Sequence, residues 1–279
     1  MKDYSEKRSL IKVNYLQNLI LRLDFDDIVE FETKTEKSFT QYLLKAGYEK
    51  RKAFLNDFNL KLNTEESSLG EPPQCILDRS QKIFFVFINE NKKVKIEISP
   101  LFIVINKYGN FKESYEKFEY FSNMLSDLYK ILKNDEYIVE KRLGIRKINT
   151  YKADILNDFC TWFNEHVISN VESNIYENLM QYGKLYNYSK NVADIGKEIL
   201  TNYQVKVNKG VNITNNGSKE LYQLLIDIDT YTECNNNIQD CFKSLLDNLN
   251  NHIFNLYMNS YKDSILTEKI LKNIYLYES

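Results

Sequence analysis

Three stretches of this chain alternate in a way that fits a one-sided β-sheet. In "NYLQNLILRLDF", Leu19, Leu21, Leu23 and Phe25 share one face of an extended strand, and Ile20, Arg22 and Asp24 share the other. In "LLIDIDTY", Leu224, Ile226 and Ile228 lie opposite Asp227 and Asp229. In "EYIVEKRLGIRKINTY", period-2 alternation puts Ile138, Glu140, Arg142, Gly144, Arg146 and Ile148 on one face. Strands of this kind bury one face under another layer and leave the charged face open. The expected fold is α+β: an antiparallel sheet, or sheets, with long amphipathic helices packed on one side.

The remaining segments fit round these strands. Residues 1 to 12 read as a polar lead-in, and "EKSFTQYLLKAG" as a short helix stopped by Gly47. "KAFLNDFNLKLN" is extended, with Phe54, Phe58, Leu60 and Leu62 in even register. Residues 63 to 75 hold two prolines, a glycine and two serines, the composition of a surface loop. Three strands follow, "KIFFVFIN", "KVKIEIS" and "LFIVINK", with "NENKK" as the first turn and Pro100 as the second break. A long helix over "NFKESYEKFEYFSNMLSDLYKILKN" is marked by Phe111, Tyr115, Phe118, Leu125, Leu128 and Leu132.

Residues 152 to 180 read as helical, with Trp162 as an anchor. Strand signals return in "MQYGKLYNYS", "EILTNYQVKVNKG" and "ELYQLLIDIDTYTE". The last long helix places Ile238, Cys241, Phe242, Leu245, Leu249, His252 and Leu256 on one stripe, and "SILTEKILKNIYLY" reads as a further short helix. A strand meander followed by a long helix thus occurs twice, as a pseudo-duplication. Residues 1–150 form a first half that ends in the arginine strand, and 151–279 a second half, within what can be one compact domain.

Bulk composition limits the functions open to the chain. Lys+Arg 37 against Asp+Glu 39 gives a net charge of −2, so any nucleic-acid site must be a local patch. The 21 tyrosines and 16 phenylalanines could stack on bases, yet abundant Asn, Lys, Ile and Tyr also mark an A- and T-rich genome. Cys75, Cys160, Cys234 and Cys241 lack C-x-x-C spacing, and the first residues lack a signal peptide's apolar core. The longest apolar run, "IFFVFI", is far short of the ~20 residues of a membrane helix. A cytoplasmic protein with free thiols and no membrane attachment is expected.

Catalytic motifs are few. His166 and His252 form no metal-ligand spacing, and neither a glycine-rich phosphate loop nor a G-x-S-x-G elbow occurs. No cofactor is expected. Asp24, Asp26 and Asp27, with Asp227 and Asp229, are the acidic candidates for a metal-dependent enzyme. Two carboxylates at i and i+2 of a strand lie about 6.5–7 Å apart, a spacing common on the wet side of any sheet.

The arginine strand has two readings. Arg22, Asp24, Asp227 and Asp229 can join Arg142 and Arg146 in a cross-strand ion network, with Gly144 marking a bulge or a close backbone approach. Alternatively Arg142 and Arg146, with Lys141 and Lys147, bind a partner or an anion through forked donors.

The segment Arg142-Leu143-Gly144-Ile145-Arg146-Lys147-Ile148-Asn149 resembles the R-I-G-L-R-Y-I-N signature of a sporadically distributed bacterial protein family of unknown function. "NYLQNLILRLDF" is similar to that family's opening strand, "ISPLFIVINKYGNFKESYEKF" to its central strand and helix start, and "LLIDIDTY" to its late D-x-D strand. The resemblance covers most of residues 12 to 260. Lys147 stands where the signature has an aromatic, and Asn250 where a histidine is frequent in the last helix, so no histidine role carries over. At the level of fold, the layout also resembles SecB-like chaperone and antitoxin-controlling proteins.

Patchy distribution is the habit of mobile elements, which the resemblance extends to this chain. The expected function is a non-catalytic protein-binding regulator, adaptor or inhibitor in a phage-defence, anti-defence or toxin–antitoxin system. The alternatives are a nucleic-acid binder using Arg142, Arg146, Lys141 and Lys147, and a metal-dependent enzyme using Asp24, Asp227 and Asp229. Another protein is the expected partner, with a homo-oligomer also open.

Overall fold

The alternating segments pair into one antiparallel sheet. A computed structural model of the chain describes residues 4–11, 15–26, 28, 33–63, 74–109, 111, 114–155, 157–164, 167, 186–194, 198–214, 217–234 and 238–271. In chain order the elements are β1 (Leu16–Phe25), α1 (Thr33–Lys45), β2 (Glu49–Asn63), β3 (Gln74–Asn89), β4 (Val94–Ile98), β5 (Phe102–Tyr108) and α2 (Ser114–Asp135). There follow β6 (Glu140–Ala153), α3 (Asn157–Trp162), β7 (Tyr186–Asp194), β8 (Ile199–Thr214), β9 (Gly217–Glu233) and α4 (Phe242–Asn259). The nine strands lie in the order β2-β3-β4-β5-β1-β6-β9-β8-β7. Each meander returns beside the strand that began it, β5 on β1 and β9 on β6, while β1 and β6 pair with each other.

One face of this sheet is the core. Leu19, Leu21, Leu23 and Phe25 of β1 are buried with Ile103 and Ile105 of β5, Leu143 and Ile145 of β6, and Ile226 and Ile228 of β9. α2 packs on β1 and β5, and α4 on β6 and β9. α2 contributes Phe118, Phe121, Leu125, Leu128 and Leu132 to the core; α4 contributes Phe242, Leu246, Leu249, Ile253 and Tyr257. Cys241 is exposed and Leu246, not Leu245, is fully buried, because the helical period runs from Phe242, the first residue of α4.

Other expectations need correction. The strand over 136–150 begins at Glu140 and continues to Ala153; of the helix expected over 152–180, α3 lies among the described residues, and 156, 165–166 and 168–180 lie outside them. Tyr151 and Ala153 stay on the buried face, so extended pairing outlasts the arginine motif. The short helix near the end is a single turn, Asp263–Ile265, running into a wider turn, Leu266–Ile270. The loop over 64–73 and His166 lie outside the described residues.

Ile138 and Glu140, expected beside the arginines, are buried on the core side. Asp24 faces Arg142 and Phe25 faces Glu140, so β6 carries one extra residue, Lys141, against β1. That bulge reverses the alternation for everything before it. Glu140 then meets α2, accepting from the Tyr129 hydroxyl and pairing with Lys133 at 2.9 Å. Burial alone would raise its pKa, but the Lys133 and Tyr129 bonds win and hold the carboxyl below its ordinary range.

A chain of tyrosines ties α4 to the sheet. The Tyr151 and Tyr257 hydroxyls each lie 2.7 Å from that of Tyr261, and Tyr203 meets Ser260 at 3.0 Å. Burial first, then the neighbouring phenols, push Tyr151 and Tyr261 well above the ordinary tyrosine range. The sign is fixed: above about pH 10 the unfolded chain loses phenolic protons that the folded one keeps, so stability falls as pH rises. Urea midpoints taken through that range should drop in the wild type and drop less steeply in Tyr261→Phe.

Candidate functional site

The face of the sheet opposite the core carries the arginines. Arg22 sits between Val104 of β5 and Gly144 of β6 in register, and Arg146 sits opposite Asp229 of β9. The bonds are diagonal, however. Arg146 gives Nε and a terminal nitrogen to the two oxygens of Asp227, at 2.8 and 2.5 Å. Arg142 reaches Asp229 at 2.8 Å. Both guanidiniums therefore lean toward the C-terminal end of β6, the offset that twisted neighbouring strands favour. Arg22 pairs with Asp24 on its own strand at 2.7 Å and lies over the Phe102 ring at 4.8 Å.

Gly144 makes room for this arrangement. A Cβ there would stand 3.2 Å from Tyr231 Cβ and 3.4 Å from the Thr230 carbonyl oxygen. With no side chain in the way, Arg142 lies flat along the strand, its guanidinium 3.9 Å from the Tyr231 ring centre. The glycine is thus a close approach rather than a bulge. Above it is a cavity of about 370 Å³ bordered by Arg22, Arg142, Arg146, Asp229, Glu97 and Phe102. The Nε of Arg142 is buried and makes no hydrogen bond among the described residues.

The four basic residues of the arginine strand do not form one patch. Lys141, at the bulge, is exposed and pairs with Asp26 at 2.5 Å. Lys147 is on the other face, with Leu143 and Ile145, because period-2 alternation separates it from Arg146. There it donates to Asn250 Oδ1 of α4 at 2.5 Å and lies 5.7 Å from the Phe118 ring centre of α2. Burial, and secondarily Arg8, push the Lys147 ammonium down to about 7. The two positions that depart from the resembled motif, Lys147 and Asn250, are therefore bonded to each other.

Arg22, Asp24, Arg142, Arg146, Asp227 and Asp229 do come together on the open face, as three ion pairs. The aspartates each turn to a guanidinium rather than to a common point. Among the described residues no group of three or more His, Cys, Asp or Glu side chains could hold a metal ion. His252 is buried on α4, and Cys234 is buried with its thiol pushed up to about 11 by burial first and Glu140 next. No helix of the described residues is long and apolar enough to cross a membrane.

Sequence reasoning missed the part of Arg8, whose guanidinium donates to the Asn250 carbonyl at 2.8 Å and stacks over Phe254. Its only local signal is a basic residue in the polar lead-in. Comparison with known proteins adds no identity: no family model matches the chain, and no curated protein matches it.

Two measurements test this geometry. Asp227 is 6% exposed at its side chain, so Arg146→Ala strands a buried carboxylate and should cost about 1–3 kcal/mol. Arg22, whose side chain is 45% exposed, should cost only about 0–1 kcal/mol as Arg22→Ala. Urea denaturation of both, with Asp227→Asn closing a double-mutant cycle, reads the coupling; equal losses would refute it.

The second concerns Lys147. Below about pH 7 both states hold its proton and the burial penalty is full; between about 7 and 10 only the unfolded chain does, so stability rises with pH. Lys147→Met should abolish that rise in urea midpoints.

Proposed function

We propose that this chain is a non-catalytic protein-binding regulator, adaptor or inhibitor that meets its partner on the open face of the sheet. The observation that carries the reading is the matching of charge there. Arg22, Arg142 and Arg146 are each paired with an aspartate, so the face offers oriented guanidiniums without a net positive field. Phosphate backbones are drawn by net charge, and this face has little to give them. Protein interfaces, by contrast, are enriched in arginine and aromatic side chains around a well-packed centre. Arg142 on Tyr231 and Arg22 on Phe102 are groups of that kind, held in place beforehand.

The setting is a phage-defence, anti-defence or toxin–antitoxin system in the cytoplasm, a reading supported by the resemblance of the arginine strand to a patchily distributed family. The units β1 to α2 and β6 to α4, each a strand meander closed by a helix, are in keeping with a pseudo-duplication.

Affinity capture from the native host tests the function, comparing the wild type with an Arg22→Ala, Arg142→Ala double variant. The variant must still unfold cooperatively at a similar urea midpoint. The expected result is a protein held by the wild type and lost by the variant. Co-purifying nucleic acid, bound with a steep salt dependence, would overturn the reading.

A further inference from the structure

A second polar cavity, of about 310 Å³, lies on the helical side of the molecule between α2, α4 and the turn Ser5–Leu10. Its walls include Arg8, Phe118 and Asn250, and these are the residues that surround Lys147. The cavity therefore adjoins the neighbours of Lys147, whose own side chain is not part of its wall. From α2 comes Ser122, which is 1% exposed and whose Oγ makes no hydrogen bond among the described residues. A buried hydroxyl in that state is a donor without an acceptor.

Charge is sorted by depth. Arg8 and Lys147 converge on the two oxygens of one residue, Asn250, at 2.8 and 2.5 Å. Among the described residues Lys147 has no carboxylate partner; its contacts are Asn250 and the Phe118 face. The carboxylates of the cavity, Glu119 and Asp247, stand at its exposed rim with Lys243. The idle Ser122 hydroxyl in the wall and the Lys147 ammonium next to Asn250, with Arg8 beside them, suit an acceptor with several oxygens. Acidic groups at the rim act against a polyanion. A volume of about 310 Å³ is at the lower end for small-molecule sites.

We propose that this cavity is a binding site for a small singly headed oxyanion, a carboxylate or a monophosphate. Its head group lies against Arg8 and Ser122, next to the Asn250 side chain that Lys147 bonds. An anion there separates the two cations electrostatically and gives Lys147 the charged partner it lacks. Binding above neutral pH is accompanied by proton uptake on Lys147, because the anion favours its charged form. The groups facing that ammonium are Arg8 from the N-terminal turn, Phe118 from α2 and Asn250 from α4, with Glu119, Lys243 and Asp247 further out.

Titration calorimetry of the full chain with inorganic phosphate and, separately, with acetate tests the site and separates the two head groups. One of the two should bind saturably, one per chain, with proton uptake visible as a dependence of the heat on buffer. Lys147→Met and Ser122→Ala should each weaken it by about tenfold or more, the loss of one charge-assisted hydrogen bond. Arg142→Ala, on the opposite face, should leave it unchanged, so failure here is distinct from failure of the open-face reading. Absence of saturable binding by both anions at millimolar concentration would overturn the proposal. So would binding that survives intact in Lys147→Met and Ser122→Ala.

Discussion

Everything in this molecule depends on the pairing of β1 with β6. Each is the strand from which a meander sets out and beside which it returns, so among the described strands their ladder is what joins the two half-sheets. Leu21 and Ile145 face each other on its buried side; Arg22 and Gly144 do so on its open side. The core under α2 and α4 and the arginine face are thus two sides of one register. A slip of a single residue would send the leucines to water and the arginines into the core.

Much of this was legible from local chemistry. The leucines of β1 and the isoleucines of β9 announce their faces by period two, and opposite charges on strands of one sheet find each other. What stayed hidden depends on register and twist, which no short stretch encodes. Arg146 stands opposite Asp229 yet bonds Asp227. The extra residue at Lys141 turns Glu140 from the arginine face to the core, and nothing in "VEKRLG" marks it.

The helical side shows the same limit in a different form. Lys147 follows Leu143 and Ile145 on the buried face, and Lys107 follows Ile103 and Ile105 in the same manner on β5. Each ends an apolar series with a cation that sits beside an aromatic ring, Phe118 for one and Phe111 for the other. Alternation alone places these lysines correctly. Grouping Lys147 by sequence neighbourhood, as a basic cluster with Arg146, puts it on the wrong side.

The long hairpins have a mechanical meaning. β3 is joined by β4 over Phe85–Asn89, so among the described residues Gln74–Phe84 is paired with β2 alone. In the other half, Gly210–Thr214 and Gly217–Leu221 lie beyond the described pairing of β7 and β6. Among the described residues each half therefore carries a stretch of two strands paired only with each other. Ribbons of two strands twist more than wide sheets do and resist bending less. Among the described residues the backbone is paired on both sides at the β1–β6 ladder and on one side only along these two stretches, so bending meets more resistance at the centre of the sheet than along its hairpins.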